Sequence, residues 1–299
     1  MRQKPRVAIL GVTGFIGRGL PALFGDDGIS VTGVSRSGQQ TRPLIQYWQN
    51  PSALDPADHL AVINLSGEPI DRRWNDANRR LFHESRVGVT KRLVETIGRL
   101  PEERRPKVLV NASAVGIYGD RGDEELLDNA APGTGYLADL CREWEDAAGE
   151  AAALGVRVVS LRVGIVLGRD GAAFKKLLGV FRAGVGGRLG SGRQWMPWIH
   201  VDDLRSAIHH CVMTESLHGP VNGCAPAPER NRDFTRKFAR AVRRPALLPV
   251  PGFALKLALG GFGGALLAGQ RALPAALLES GFRFAYPTLD LALADLVRR

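Results

Sequence analysis

Arg6-Val7-Ala8-Ile9-Leu10 runs straight into Gly11-Val12-Thr13-Gly14-Phe15-Ile16-Gly17, an apolar run followed at once by three evenly spaced glycines. Val7 to Leu10 are wholly apolar and partly β-branched, the pattern of a strand buried on both faces. Leu20, Leu23 and Phe24 follow at helical spacing, so the order is strand, glycine turn, helix. In such a turn the first glycine permits a tight reversal and the second lets backbone N–H groups approach a pyrophosphate. The third lets helix pack on strand, with the phosphate at the positive end of the helix dipole. The spacing is GxxGxxG instead of GxGxxG, but its place directly after an apolar strand favours a dinucleotide cradle over a merely structural turn. Gly11, Thr13, Gly14, Phe15, Ile16 and Gly17 are the cofactor-binding candidates it supplies.

Working outward, the next predicted strand covers Ile29 to Val34 and ends at Ser35-Arg36-Ser37. An acid at this strand end would hold the free 2′-hydroxyl of NAD; here Arg36, flanked by two hydroxyls, offers a guanidinium to a 2′-phosphate. Ser35 and Arg36 therefore join the cofactor set, and NADP(H) is preferred to NAD(H). A third strand, His59 to Ile63, runs into Asn64-Leu65-Ser66-Gly67-Glu68. A polar, glycine-bearing strand end on the edge that carries Gly11 is where an open parallel sheet places its ligand crevice. Asn64, Leu65, Ser66 and Gly67 are expected along the cofactor path, with Glu68 toward the substrate. Asn75 to Arg99 carries a helical pattern with Phe82, Val89, Leu93 and Ile97 as core positions, and His83 reads as a surface or packing histidine. Lys107 to Val110 is a further strand, ending in Asn111-Ala112-Ser113.

Composition narrows the class. The 299 residues can bury a substantial core, and 40 basic against 30 acidic residues give a net charge of +10. The arginines are scattered without aromatic interleaving, which argues for a phosphate-bearing small ligand over a nucleic-acid face. Cys141, Cys211 and Cys224 are odd in number and far apart, fitting neither a disulfide framework nor a zinc site, so no metal is expected and a reducing cytoplasmic setting is. The N-terminal apolar run of four residues does not read as a signal-peptide pattern, and Pro251 to Gln270, interrupted by Lys256, reads as a buried or partner-facing helical segment instead of a membrane span.

Three further segments carry a resemblance. Asn111-Ala112-Ser113-Ala114-Val115-Gly116-Ile117-Tyr118-Gly119, Leu161 to Gly168 and Pro197-Trp198-Ile199-His200-Val201-Asp202-Asp203-Leu204 resemble, in order and spacing, the extended short-chain dehydrogenase/reductases of the NAD-dependent epimerase/dehydratase type. Asn64 to Glu68, Arg73-Trp74-Asn75, Gly190 to Gln194 and the tail from Leu248 through Gln270-Arg271 to Gly281-Phe282 are similar to one branch of it. That branch is the "epimerase family protein" group, with a C-terminal domain of unassigned role and some members labelled cell-division inhibitors.

The resemblance implies a reaction centre, and the sequence departs from it. In the superfamily a tyrosine moves a proton and a lysine one helical turn on lowers its pKa from about 10, while a Ser or Thr polarises the carbonyl. Ser113 is placed for the last task. The helix expected over Gly135 to Ala153 pairs Tyr136 with Leu140, or Leu137 with Cys141 in the register anchored on Glu145; neither pair holds a lysine. Tyr118 is the substitute acid/base candidate beside Ser113, with pocket-closing packing as its alternative. Cys141 reads as an inert buried thiol, and His200 as structural, with Asp202 or Asp203 as an N-cap. Between Gly184 and Pro197 a glycine-rich loop brings Arg188, Arg193 and Trp195 as substrate-side candidates. Asn231 reads as the start of a capped helix with Phe234 and Phe238 on one face.

The expected fold is α/β, a doubly wound parallel (Rossmann) sheet over 1–225 followed by a small, mostly helical C-terminal domain over 226–299. The expected function is that of an NADP(H)-binding oxidoreductase or epimerase-like protein lacking the usual Tyr-xxx-Lys pair. A catalytically silent NADPH-binding regulatory protein, linked to cell division, is the alternative. The expected partner is an unidentified small molecule, without nucleic acid or membrane, for a chain acting as monomer or homodimer.

Overall fold

A computed structural model describes residues 4–36, 43–246 and 248–297. Seven strands form the central sheet: β1 (Arg6–Leu10), β2 (Ser30–Val34), β3 (Tyr47–Gln49), β4 (Ala61–Asn64), β5 (Val108–Ala114), β6 (Arg157–Val163) and β7 (Gly219–Gly223). Their order is β7-β6-β5-β4-β1-β2-β3, and every neighbouring pair is parallel. The order reverses between β1 and β4, the switch point at which a crevice opens beyond the carboxyl ends of the strands.

The strand alternation builds the two layers. Val7 and Ile9 join Val31, Ile63 and Val110 in one apolar cluster, closed by Leu20 and Phe24 of α1 (Leu20–Asp26) and by Leu204, Ile208 and Cys211 of α6 (Val201–Met213). Ala8 and Leu10 point the other way, into a cluster with Val62, Leu109, and Leu93, Val94 and Ile97 of α3 (Val89–Gly98). A one-residue slip of β1 would exchange these two sets, so burial on both faces pins the register.

Three elements differ from the sequence reading. β3 is added at the sheet edge; it has only three residues and an exposed Tyr47, too short for an alternation to show. The helix expected from Asn75 to Arg99 becomes α2 (Asp76–His83) and α3, joined by a π-helical turn, Glu84–Gly88. α7 (Asn231–Val242) is present with Phe234 and Phe238 buried, but Asn231 does not cap it. Its Oδ1 instead accepts from Leu189 N–H at 2.7 Å, tying the helix to the glycine-rich loop.

The C-terminal part shares its core with what precedes it. Phe174 and Phe181 of α5 (Ala172–Arg182), with Trp198, pack on Phe234 and Phe238 and on Leu289, Leu293 and Leu296 of the last helix. A boundary at 225 therefore runs through one continuous apolar cluster. The segment after Pro251 forms two short helices, Gly252–Leu259 and Gly261–Ala265; the second lays Phe262 against Trp74 at 6.4 Å between ring centroids. No helix among the described residues is long and apolar enough to cross a membrane.

Candidate functional site

At the switch point lies a crevice of about 790 Å³ walled by Leu10, Gly11, Thr13 and Gly14 on one side and by Leu65, Ser66, Gly67 and Glu68 on the other. Gly11 sits at φ +80°, where a side chain is strained, and a Cβ there would stand 3.0 Å from the Leu65 carbonyl oxygen. A Cβ on Gly17 would overlap the Gly11 carbonyl oxygen and stand 2.9 Å from Val12 Cα. The turn is therefore folded back on itself as tightly as a backbone allows. Gly17 itself is buried beneath it and does not line the crevice.

The next peptides are held from behind. Arg205, on α6, donates Nη2 to Phe15 O at 2.8 Å and Nε to Ile16 O at 3.1 Å, and Asp202 holds its Nη1 at 2.8 Å. Gly19 admits this guanidinium, since a Cβ there would lie 2.5 Å from Arg205 Cζ. Two successive carbonyls are thus captured on the protein side. Among the described residues no protein acceptor takes the N–H of Phe15 or Ile16. Free main-chain donors beside side-chain-free glycines suit a diphosphate.

Val34, Ser35, Arg36 and Pro51 line the far end of the crevice. The Arg36 side chain is 86% exposed and its Nη2 lies 3.5 Å from Glu68 Oε1, with Arg72 3.6 Å from the other carboxylate oxygen. Glu68 thus faces Arg36 inside the crevice. Ser37 lies outside the described residues. Leu65, Ser66 and Gly67 line the crevice, whereas Asn64 is fully buried below. Its Nδ2 donates to Asn111 Oδ1 at 2.7 Å and Thr90 Oγ1 at 2.9 Å, and its Oδ1 accepts from Ser66 N–H at 3.2 Å. Asn64 supports the crevice wall without lining it.

The π-helical turn explains how that wall is fixed. The extra residue per turn swings Ser85 and Arg86 toward the loop after β4: Glu68 N–H donates to Ser85 Oγ at 3.1 Å, and Arg86 Nη2 donates to Glu68 O at 2.9 Å. Periodicity in the sequence could not show this, because the apolar positions on either side keep helical spacing.

Ser113 Oγ, at the end of β5, donates to Glu145 Oε1 at 2.6 Å. Glu145, on α4 (Tyr136–Gly149), also takes a bidentate ion pair from Arg162 of β6, at 2.8 Å to each oxygen. Burial alone would lower the Arg162 pKa, yet the hydrogen bonds and charge of Glu145 carry it above the usual guanidinium value. Tyr118 is on the far side of this pair and fully buried. Its phenol donates to Asn222 Oδ1 at 2.7 Å and accepts from Arg162 Nη1 at 3.0 Å, and burial pushes its pKa up. The structure therefore corrects the expectation of a reactive phenol at the crevice: Tyr118 packs the interior, and its proton is engaged. Sequence reasoning passed over Glu145 and Arg162 as actors. The signal was present in a carboxylate continuing the Leu137, Cys141 face of α4 and a lone arginine within an apolar strand.

His200 caps α6 itself, its Nδ1 accepting from Asp202 N–H at 3.2 Å. Asp203 is not a cap either, since its carboxylate accepts from Ala285 and Tyr286 N–H. Arg188, Arg193 and Trp195 do not reach the crevice. Trp195 lies between Arg230 and Arg271, 4.6 and 4.9 Å from its ring centroid, and donates Nε1 to Asp123 at 2.8 Å. Arg193 is exposed with its carbonyl accepting from Arg230, and Arg188 lines a different concavity.

All three cysteines are free and buried, and burial pushes the Cys141 and Cys211 thiols up to about 12 and Cys224 up as well. In the folded protein none should react with a thiol-specific disulfide reagent at mildly alkaline pH, while all three should react in denaturant. Fast labelling of Cys141 in native buffer would contradict this.

Comparison with known proteins follows the same division. The profile of the NAD dependent epimerase/dehydratase family matches residues 7–222, and a domain of unknown function, DUF1731, matches residues 250–296. The chain is 38% identical to the Epimerase family protein SDR39U1 homolog, chloroplastic, of Arabidopsis thaliana, over 98% of this chain and 86% of that one. The crystal structure of human epimerase family protein SDR39U1 (isoform2) with NADPH superposes with a TM-score of 0.88 at 33% identity, covering 98% of this chain and 99% of that one. The nucleoside-diphosphate sugar epimerase of Corynebacterium glutamicum gives a TM-score of 0.78 at 31% identity, covering 99% of this chain and 58% of that one.

Proposed function

As the chain belongs to the NAD dependent epimerase/dehydratase family, we propose that it binds NADPH in the switch-point crevice and acts as an atypical oxidoreductase on a small carbonyl or carbinol compound. The observation that carries the reading is the turn: among the described residues Phe15 and Ile16 N–H have no protein acceptor, and they lie between Gly14, where a Cβ would stand 3.1 Å from the Gly11 carbonyl oxygen, and Gly17, where one would overlap it, with Arg36 at the far end of the crevice. The crystallised human relative with NADPH supports the choice of cofactor.

When bound, the cofactor supplies or accepts a hydride at nicotinamide C4. The chain's own part is proton handling. Ser113, buried at the end of β5 and outside the crevice wall, directs its proton to Glu145 and on this reading meets a substrate hydroxyl through an Oγ lone pair. In the oxidising direction Ser113 takes that hydroxyl's proton and passes its own to the Glu145 carboxylate; in the reducing direction both transfers reverse. Arg162 fixes the carboxylate's position.

A second reading has its own support. Neither Tyr136 with Leu140 nor Leu137 with Cys141 supplies the superfamily's tyrosine–lysine pair, and Tyr118 is sealed inside. On that reading the chain is a cofactor-loaded binding protein without turnover. A screen of NADPH and NADP⁺ against carbonyl and sugar-nucleotide panels separates the two: substrate-dependent absorbance change supports the enzyme, and tight NADPH binding with no oxidation supports the binder. Three buried free thiols suit a reducing compartment such as the cytoplasm.

Arg36→Asp should weaken NADPH by about 30-fold or more while changing NADH little, because charged hydrogen bonds to the 2′-phosphate are replaced by repulsion. Equal weakening of both coenzymes would remove Arg36 from cofactor choice.

A further inference from the structure

We propose that the concavity between α7 and the chain that follows it is a second anion site, distinct from the dinucleotide crevice, taking the phosphate or diphosphate group of a small ligand. It encloses about 300 Å³ and shares no lining residue with the crevice. Four guanidinium-bearing residues from three separate elements converge on it: Arg188 of the glycine-rich loop, Arg232 and Arg236 of α7, and Arg244 beyond the helix.

Helix stability does not explain this arrangement. Arg232 stands in the first turn of α7, where the dipole disfavours a cation, and Arg236 is a like charge one turn further on the same face. Asp233 offsets both, pairing with Arg232 at 3.5 Å and Arg236 at 3.0 Å. Among the described residues the other two cations have no carboxylate partner: Arg188 donates only to Ser191 O at 2.9 Å, and nothing pairs with the Arg244 side chain. Four cations against one anion leave a surplus charge of three facing one hollow.

The backbone brings Arg244 there deliberately. Arg243 takes the left-handed conformation at φ +55°, closing α7 in place of the usual glycine, and Arg244 N–H then folds back onto Ala239 O at 3.0 Å. Thr235, nearly buried, also lines the hollow, and its hydroxyl has no hydrogen-bond partner among the described residues. Guanidinium forks match phosphate oxygens in bidentate geometry, and a threonine hydroxyl supplies the further donor. Prolines and alanines complete the lining and leave room for a small apolar body on the ligand.

The occupant would brace the loop in front of it. Arg188 O accepts from Val250 N–H at 2.8 Å and the adjoining Leu189 is bonded to Asn231 of α7, so an anion on Arg188 and Arg236 clamps the loop to the helix. The proposal does not rest on the cofactor reading.

Calorimetric titration of inorganic pyrophosphate into the full-length protein, first saturated with NADPH, tests it. Saturable binding is expected, weakened about tenfold by Arg244→Gln and again by Arg188→Gln, with NADPH affinity unchanged in both variants. Inorganic phosphate in parallel distinguishes a single-phosphate site, where both anions bind alike, from a diphosphate site, where pyrophosphate binds more tightly. If NADPH fails to bind, the same titration on the unloaded protein still decides the question. Absence of saturable pyrophosphate heat, or heat that survives both variants undiminished, would overturn the proposal.

Discussion

Gly17→Ala should abolish tight dinucleotide binding, with NADPH and NADH lost together. The new methyl would enter the Gly11 carbonyl and the Val12 backbone, neither of which can rotate away as a side chain would. Overpacking of this kind costs about 1–3 kcal/mol, and here the backbone that must shift carries the diphosphate donors, so affinity falls by about 10- to 100-fold. Gly25→Ala is the matched control: it lies in α1 of the same motif, and a Cβ there meets nothing within 4 Å. It should leave binding intact and raise the melting temperature slightly, since alanine is the better helix former. If both variants bind NADPH like the parent, the turn is not the cradle.

Arg162→Met should give the largest loss of stability. The guanidinium is 5% exposed, and its removal leaves Glu145 buried without its ion pair and takes a donor from Tyr118 and from Asp128 O. Breaking a buried pair from one side costs about 3–5 kcal/mol. The double change Arg162→Met with Glu145→Leu should recover much of that loss, because it removes the stranded charge as well. Urea unfolding of the parent, both singles and the double gives the coupling directly. A stability change in Arg162→Met within about 1 kcal/mol would mean that water reaches the carboxylate and that the pair is not a buried one.

The parts of the fold that could be read from sequence are those with strong local patterns. Val7 to Leu10 and the glycines after them fixed the first strand, the turn and the sheet's switch point, because an apolar run on both faces and a side-chain-free reversal have few other solutions. Leu65, Ser66 and Gly67 followed from the same edge argument. What the sequence hid depends on contacts between distant residues. Asn64 looked like a ligand-facing amide until Thr90 and Asn111, from α3 and β5, took its donors. Tyr118 looked available until Asn222, over a hundred positions on, engaged its phenol. Arg188, a substrate-side candidate by its loop, belongs to a separate hollow because Asn231 and Val250 anchor that loop against α7. The π-helical turn at Glu84–Gly88 is a local event, yet it leaves the flanking apolar spacing undisturbed and so leaves no trace in a periodicity.

The account stands most directly on one titration, of NADPH into folded, monodisperse protein. It predicts saturable heat at one site per chain, with NADH binding more weakly. Native protein that gives no heat with NADPH and none with NADH would contradict it.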